Sequence, residues 1–423
     1  MLSVIISGIM KVLPQEVYLH GLGKCPDYCY SIDFSWVPDG SFEQSYVVTG
    51  GADSVARVWR INGATFQLEI HSELTGHQLG VNCVRFSPDG FNSIATGSDD
   101  GKVVIWKHNT DLDRWVQAKI LNVLDEVVCV AWSPCGTMIA AAVQREMTHV
   151  FNTSSGRLLA RLDGHSNRVT GVCWDPLGQV IVSESSDRSV RVYSKKKNGS
   201  WYPKALLKDV ISNEQETSIS KWKLLISESH FPNDPTAHFF RRPDFCPDGS
   251  MVLIPGGLAD GGSKFATLMF SRRCLVTGQG PSAVFTTPCA PSTAVRFHPR
   301  KFVSSFSQDE KNFHVFVVTT VSSFYVMRSD RTRPIAFGTD IHCTAIVDAA
   351  WSSDAQILAL CSTDGYVTLV KFEQGELGGV PDWNGFVKQD MVLETSISEK
   401  VITENPSGMN TKRKITPIIV EEN

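Results

Sequence analysis

Three stretches of the chain open on the same spacing of apolar positions: Val81, Val84 and Phe86; Val127, Val130 and Trp132; Val169, Val172 and Trp174. Each is closed by a Pro-x-Gly turn, built on Pro88 and Gly90, Pro134 and Gly136, and Pro176 and Gly178. The same turn recurs at Pro38 with Gly40 and at Pro247 with Gly249. Short runs rich in β-branched and aromatic residues, ended by Pro and Gly, predict strands rather than helices. They return about every 40 to 50 residues, the period of small antiparallel sheets that stand around a common centre as propeller blades. The chain is therefore expected to be all-β.

A longer echo sharpens this. "GHQLGVNCVRFSPDGFNSIATGSDDGKVVIW" (76–106) has a partner in "GHSNRVTGVCWDPLGQVIVSESSDRSVRVY" (164–193). In the first, steps of 23 and 6 lead from His77 to Asp100 and Trp106; in the second, steps of 22 and 6 lead from His165 to Asp187 and Tyr193. The pattern resembles the WD40 family, which implies a seven-bladed β-propeller followed by a flexible C-terminal tail. The seven units enter near Cys29, Val81, Val127, Val169, His238, Pro291 and Ile346. The resemblance also gives the repeated residues a structural job, a buried hydrogen-bonded chain through His77, Ser98, Asp100 and Trp106, with His165 and Asp187 as counterparts in blade 4. A Ser, His and Asp set also suggests a hydrolase triad. A buried, repeating set offers substrate no route, however, and the chain has no G-x-S-x-G elbow to expose a nucleophile. Blade 3 departs from the pattern: "NVLDEVV" replaces Gly-His, Phe151 ends the unit, and Gln144 and Arg145 fall near the place of the turn Asp. Apolar packing must carry more of that blade.

Charge and cysteine content narrow the function. The chain has 40 Lys and Arg against 44 Asp and Glu, a net charge of −4, and a pI near 6.3. That is not the electropositive footprint of a protein that grips nucleic acid itself, so no direct sequence-specific DNA binding is expected. The eleven cysteines are an odd number, several of them inside apolar runs such as "GVNCVRF" and "VVCVAW", which reads as reduced, buried thiols in an intracellular protein. Cys25 and Cys29 lack a second Cys or His pair at metal-ligand spacing, so no metal site is expected. "PGGLADGGSK" (255–264) lacks the phosphate-cradling G-x-x-x-x-G-K-[ST] spacing and reads as a blade turn. With no paired carboxylates, metal triad or dinucleotide fingerprint, the expectation is a protein with no cofactor and no enzymatic activity. "MLSVIISGIM" has no basic n-region, and no run of roughly eighteen apolar residues occurs, so neither a signal peptide nor a membrane span is expected. Residues 194–237 lengthen the step between blades 4 and 5. They should hold the outer strand of blade 4 and then a surface excursion of the kind that carries partner contacts.

Three stretches make the resemblance narrower: "VTGVCWDPLGQVIVSESSDRSVRVYS" (169–194), "HFFRRPDFCPDGSMVLIPGG" (238–257) and "WSSDAQILALCSTDGYVTLVKFEQGELG" (351–378). Phe239, Phe240, Arg241 and Arg242 followed by Pro247, Asp248, Gly249 and Ser250 are more specific than a general WD40 signature. So are Ser362 to Tyr366 with the trailing Gly375, Glu376, Leu377 and Gly378. In these the chain is similar to the WD40 subunit of chromatin assembly factor 1, a family related to the HIRA-type histone chaperones. The similarity covers about 10–378, with 1–9 as an N-terminal extension and 379–423 as the tail. In that family the chain usually begins Met-Lys-Val, here Met10, Lys11 and Val12, and residues 11–13 are expected to supply the outer strand that closes blade 7. The resemblance implies a non-catalytic, nuclear histone chaperone component that partners the large and small subunits of chromatin assembly factor 1. It further implies deposition of histones H3–H4 on newly replicated DNA and an indirect link to the sliding clamp.

From Gln374 onward the blade pattern stops and the sequence turns polar, yet "TKRKITPIIV" (411–420) sets an apolar, β-prone run behind three basic residues. A lone strand has no partner for its own N–H and C=O groups and gains them by adding to the edge of another protein's sheet. Arg413, Lys414, Ile415, Thr416 and Pro417 resemble the Arg-Arg-Ile-x-Pro B-domain motif by which such subunits dock the H3–H4 donor chaperone, anti-silencing function 1. Arg413, Lys414, Ile415, Pro417 and Ile418 are the docking residues this implies. Lys414 stands where Arg is usual, keeping the charge but losing the bidentate fork. A short nuclear-import patch would explain the basic residues and not Ile415, Pro417 and Ile418. The alternative to a histone chaperone component is a WD40 adaptor of another nuclear complex, such as a ubiquitin-ligase substrate receptor, and no ligase-binding element is evident.

Overall fold

Each of the three matched runs becomes the innermost strand of a sheet, and what buries it is the neighbouring sheet. Val81–Phe86 has five of its six residues buried, and Val169–Trp174 and Ile346–Trp351 are buried throughout, as strands covered on both faces must be. The outer strands are polar on one face; Leu68–Thr75 and Trp201–Lys208 each carry one fully covered residue. The computed structural model describes residues 5–7, 10–15, 28–35, 45–62, 65–88, 92–208, 223–224, 239–288, 290–303, 312–354, 356–373 and 375–381.

Seven antiparallel sheets form from these residues. Blade 1 runs from Cys29 to Thr75, blade 2 from Val81 to Asn122, blade 3 from Val127 to Leu162 and blade 4 from Val169 to Lys208. Blade 5 is built on Asp244–Phe245, Met251–Ala259, Lys264–Ser271 and Ala283–Thr287, and also takes the two-residue strand Lys223–Leu224. Blade 6 runs from Ser292 to Thr339 and blade 7 from Ile346 to Lys371. The protein is a seven-bladed β-propeller. Trp201–Lys208 is the outer strand of blade 4, paired with Ser189–Lys195. The glycine-rich 255–264 segment joins two strands of blade 5 through a short turn at Asp260–Gly262, with Lys264 paired to Asp260 at 2.8 Å. The tail residues 382–423, with Arg413, Lys414, Ile415, Pro417 and Ile418, lie outside the described residues, as do Cys25, His238 and most of 209–238.

The ring closes with strands from both ends of the chain. Blade 7 has three strands of its own, and Lys11–Gln15 lies antiparallel to Val367–Lys371 as the fourth, so the last sheet to be made is completed by the first residues of the ring. Ile5–Ser7 adds a further strand to the outer edge of blade 6, against Phe337, Gly338 and Thr339. Val380 and Pro381 pair with Val303 and Phe302 of the same blade. Short strands thus extend the sheets beyond 10–378 at both ends, and an edge that is paired cannot template association with another chain.

Arg328 anchors the C-terminal addition. It is buried, its guanidinium lies 3.5 Å from the centre of the Phe313 ring, and it donates to both oxygens of Asp330 at 2.9 and 2.7 Å and to the carbonyl of Gly378 at 3.1 Å. A chain ending at Leu377 loses the Gly378 acceptor and the 380–381 pairing, whereas one ending at Gly385 keeps both. We expect the shorter form to melt at least about 2 °C below the longer one by circular dichroism, from the loss of a charged hydrogen bond worth about 1.5–3 kcal/mol. Equal melting would show that residues 378–381 add nothing to the ring.

Candidate functional site

The repeated His and Asp of blade 2 meet as the spacing predicts, since the histidine precedes the inner strand and the aspartate closes the turn after the second. His77 Nδ1 lies 3.1 Å from Asp100 Oδ2. The relay continues through Thr96 and not through Ser98: His77 Nε2 and Thr96 Oγ1 are 2.7 Å apart, and Trp106 Nε1 donates to the same oxygen at 2.9 Å. Ser98 instead holds the turn, donating to the Leu79 carbonyl at 3.0 Å and accepting from the Asp100 amide at 3.1 Å. Residues 96 and 98 are two apart on one strand and face the same way, so sequence period alone could not choose between them.

Blade 4 repeats the arrangement with other residue types. His165 Nδ1 is 3.0 Å from Asp187 Oδ2, His165 Nε2 is 2.8 Å from Ser183 Oγ, and Tyr193 takes the place of the tryptophan, donating to the Asp163 carbonyl at 2.9 Å. Burial opposes the charge on Asp187, but hydrogen bonds from His165, Ser189 and the Ser166 amide outweigh it and hold the carboxyl well below its ordinary range. Ser183, His165 and Asp187 have the connectivity of a hydrolase triad. Ser183 and the His165 ring are fully buried, so no substrate carbonyl can reach the hydroxyl, and the set acts as a structural tie.

The remaining blades keep parts of it. In blade 1, Trp59 Nε1 donates to Thr49 Oγ1 at 2.9 Å, and Asp53 pairs with Arg57 at 2.6 Å. In blade 7, His342 Nδ1 meets Asp364 at 3.1 Å. Leu360 stands where Thr96 and Ser183 stand, four residues before the turn aspartate, and His342 Nε2 is accordingly left without a hydrogen-bond partner. Blade 3 has Ala140, Ala141, Ala142, Val150 and Phe151 buried in its centre, and the Arg145 amide donates to Asp125 at 3.1 Å.

A second polar constellation lies at the middle of the ring, where sequence period gave no sign of it. Asp348, fully buried on the inner strand of blade 7, is approached by Arg85 of blade 2 at 2.9 Å, Arg296 of blade 6 at 2.9 Å and Arg242 of blade 5 at 3.5 Å. It also accepts from Ser31 Oγ at 2.8 Å and the Ile32 amide at 3.3 Å in blade 1. Arg242 crosses the centre: its guanidinium donates to the carbonyls of Tyr30, Asn82 and Val347 at 2.9, 2.8 and 3.2 Å and reaches Cys83 Sγ at 3.4 Å. Burial alone would lower its pKa, and the Asp348 charge outweighs that. Asp33 and Asp244, next to the strand aromatics of blades 1 and 5, accept the Phe86 and Phe297 amides of the following blades, both at 2.8 Å. The available signal was a charged residue one or three places before a strand-end aromatic, as in Asp33-Phe34, Arg85-Phe86, Asp244-Phe245, Arg296-Phe297 and Asp348 before Trp351.

Blades 4 and 5 meet through another charge pair. Three residues before the turn aspartate, blade 2 has Gly97, where a Cβ would come within 2.6 Å of Val127 of the next blade. Blade 4 has Glu184 at that place, facing Arg241. Arg241 runs so close to blade 4 that a Cβ on Gly171 would overlap its carbonyl oxygen. Burial pushes Glu184 up to about 8 against the pull of Arg241, and burial brings Arg241 down to about 10 against the pull of Glu184. Neither Glu184 oxygen has a hydrogen-bond partner among the described residues.

A family profile described as "CAF1B/HIR1 beta-propeller domain" matches residues 10–377, which include both constellations. The chain belongs to that family. Family members at this distance include "Chromatin assembly factor 1 subunit FAS2 homolog" of Oryza sativa subsp. japonica, 34% identical over 356 residues that cover 78% of this chain and 69% of that protein. The WD40 subunit of chromatin assembly factor 1 from Mus musculus is 30% identical over 407 residues, 87% of this chain and 68% of that one. "Protein HIR1" of Yarrowia lipolytica is 25% identical over 400 residues, 79% of this chain and 36% of that one.

Two outcomes follow from the geometry. Thr96→Val keeps shape but leaves His77 Nε2 and Trp106 Nε1 buried without an acceptor, so it should lower stability by about 1–3 kcal/mol in urea titration, and by more than Ser98→Ala. The reverse order would contradict a relay through Thr96. Glu184, raised from 4.5 to about 8 in the folded chain, binds a proton on folding between those values. The stability this supplies is full below about 4.5 and is lost as pH rises through 8. Glu184→Gln should match wild type near pH 5 and exceed it by roughly 2–5 kcal/mol near pH 9. A constant difference across that range would mean that the carboxylate is charged throughout.

Proposed function

We propose that this chain is a non-catalytic subunit of a chromatin assembly factor 1 complex in the nucleus, which deposits histones H3–H4 on newly replicated DNA. In this reading the propeller scaffolds the complex by holding its large subunit, beside the small histone-binding WD40 subunit, and the tail docks the donor chaperone anti-silencing function 1. The observation that carries the reading is the match to proteins named as chromatin assembly factor 1 subunits, at 34% and 30% identity over most of both chains. The HIR1 match covers only 36% of that longer protein, which favours the chromatin assembly factor reading over a HIR1-type one. The buried relays and the charge-filled centre leave blade faces and edges, rather than a catalytic cavity, for the work of the ring. Purification of the full chain from cells tests the complex directly: histones H3 and H4 with two further subunits should accompany it. Ubiquitin-ligase components in their place would overturn the reading.

The docking residues divide by physical role. Ile415 and Ile418 are apolar anchors for pockets along a sheet edge, Pro417 stiffens the strand, and Arg413 and Lys414 face acids at the rim. Replacing Ile415 by Ala removes one anchor, worth on the order of 1.5–3 kcal/mol, so calorimetric titration of a 405–423 peptide with the donor chaperone should show binding weakened about tenfold to a hundredfold. Arg413→Ala should cost only about 0–1 kcal/mol, as rim ion pairs do. Equal affinity for wild type and Ile415→Ala would sink strand docking while leaving the propeller's place in the complex standing.

A further inference from the structure

On the rim between blades 1 and 2, far along the chain from either constellation, two imidazoles converge on one carboxylate oxygen. His71 stands on the outer strand of blade 1, Leu68–Thr75, and His108 near the end of the third strand of blade 2, Lys102–Asn109. Asp113 follows in the tight turn after it. There the Leu112 amide donates to Asn109 Oδ1 at 3.0 Å and Asp113 itself takes a left-handed φ of 42°, a conformation that aspartate tolerates better than most residues. Asp113 Oδ1 is 3.4 Å from His71 Nε2 and 3.2 Å from His108 Nε2, and all three donor atoms lie within 4.8 Å of one another.

We propose that His71, His108 and Asp113 form a binding site for one divalent transition-metal ion of the zinc class, tying the outer strand of blade 1 to blade 2.

Three observations point this way. A tetrahedral ion with bonds of about 2.0–2.2 Å to nitrogen and oxygen spaces its donors roughly 3.3–3.4 Å apart, which the two nitrogen–oxygen distances already match. His71 Nδ1 lies 3.1 Å from Ser72 Oγ, the second contact that fixes a ligating histidine with Nε2 free for the metal. Burial holds His71 below its ordinary range, so the ring is neutral, the form that ligates. The ring of His108 is further set by Trp115, whose centre is 5.1 Å away. Two imidazoles with one carboxylate suit zinc, nickel or copper rather than magnesium or calcium.

One group works against the ion. Arg60 reaches Asp113 Oδ2 at 3.1 Å and Oδ1 at 3.4 Å, held there by the Tyr46 hydroxyl at 2.8 Å. The guanidinium competes for the carboxylate, so the site fills against it and its affinity is set partly by Arg60. The other three-donor cluster of the described residues, Cys246, Asp248 and His314, is satisfied from within. Lys301 sits 2.6 Å from Asp248, and the Cys246 thiol donates to Asp248 at 2.9 Å, with burial pushing that thiol up to about 12.

Equilibrium dialysis of the full chain, stripped of metal and kept reduced, against Zn2+ tests the site, with Mg2+ as control and Cys246→Ser as the reference for binding elsewhere. Wild type and Cys246→Ser should both take up one saturable equivalent of Zn2+ that Mg2+ does not displace, and Zn2+ should raise the melting temperature. His71→Ala with His108→Ala should lose that equivalent and the shift. Arg60→Met, which leaves all three donors in place, should bind several-fold more tightly, and this variant decides the matter if the double substitution fails to fold. Zn2+ uptake unchanged in the double variant, or affinity no higher in Arg60→Met than in wild type, would overturn the proposal.

Discussion

A carboxylate with no exposure to solvent, Asp348, faces three guanidinium groups from three other blades, and the ring is organised around it. Removing one partner of a buried charge pair typically costs about 3–5 kcal/mol, because the other charge remains in a poor dielectric. Here a single carboxylate serves Arg85, Arg242 and Arg296 at once, and blade 1 joins through Ser31 and Ile32. Blades 1, 2, 5, 6 and 7 therefore share one electrostatic centre, and any blade that drew back would leave its arginine or its amide unsatisfied. Apolar packing between neighbouring sheets is pairwise and cannot by itself enforce closure. The hub is the element that makes the set of blades a ring.

This explains the irregularity of blade 5. Its inner strand is reduced to Asp244–Phe245, and the residues before it run alongside blade 4, with Arg241 donating its amide to Thr170 at 3.2 Å and Arg242 bridging to Ala294 of blade 6. The path places one arginine on Glu184 and the next on Asp348. Gly171 is required where the Arg241 backbone passes, and Glu184 replaces the glycine that a regular valine-to-glycine contact would need. Arg272 adds a bidentate grip on Asp175, both distances 2.7 Å, so the junction of blades 4 and 5 relies on charge where the others rely on aliphatic side chains.

Much of the fold was legible because it repeats. The apolar spacing at Val81, Val127 and Val169 marked inner strands to the residue, and the 22- and 23-residue steps found the His–Asp pairs of blades 2 and 4. The third pair, His342 with Asp364, has the same 22-residue step but lacks the preceding glycine, and the missing hydroxyl at Leu360 breaks its relay. Ser98 was read in place of Thr96 because a strand shows two hydroxyls on one face and only packing against Trp106 selects between them. The hub was illegible for another reason: Arg85, Arg242 and Asp348 are separated by more than a hundred residues each way along the chain, and nothing local distinguishes them from solvated charges on a strand. Their meaning appears only when the ring brings them together.

A centre that satisfies its own charges also bears on the division of labour in the proposed assembly. With Arg242 spanning the middle and contacting blades 1, 2 and 7, the ring presents a rigid body whose faces can be held by a large partner without internal rearrangement, the regime in which binding costs little conformational entropy. A strand-docking motif such as 413–418 works in the opposite regime, gaining its order only on the partner's sheet edge and binding with modest affinity that is easily reversed. Joined in one chain, the two modes would raise the local concentration of the donor chaperone at the complex without fixing it there. That pairing of a permanent contact with a transient one is what the transfer of a histone cargo from donor to complex requires.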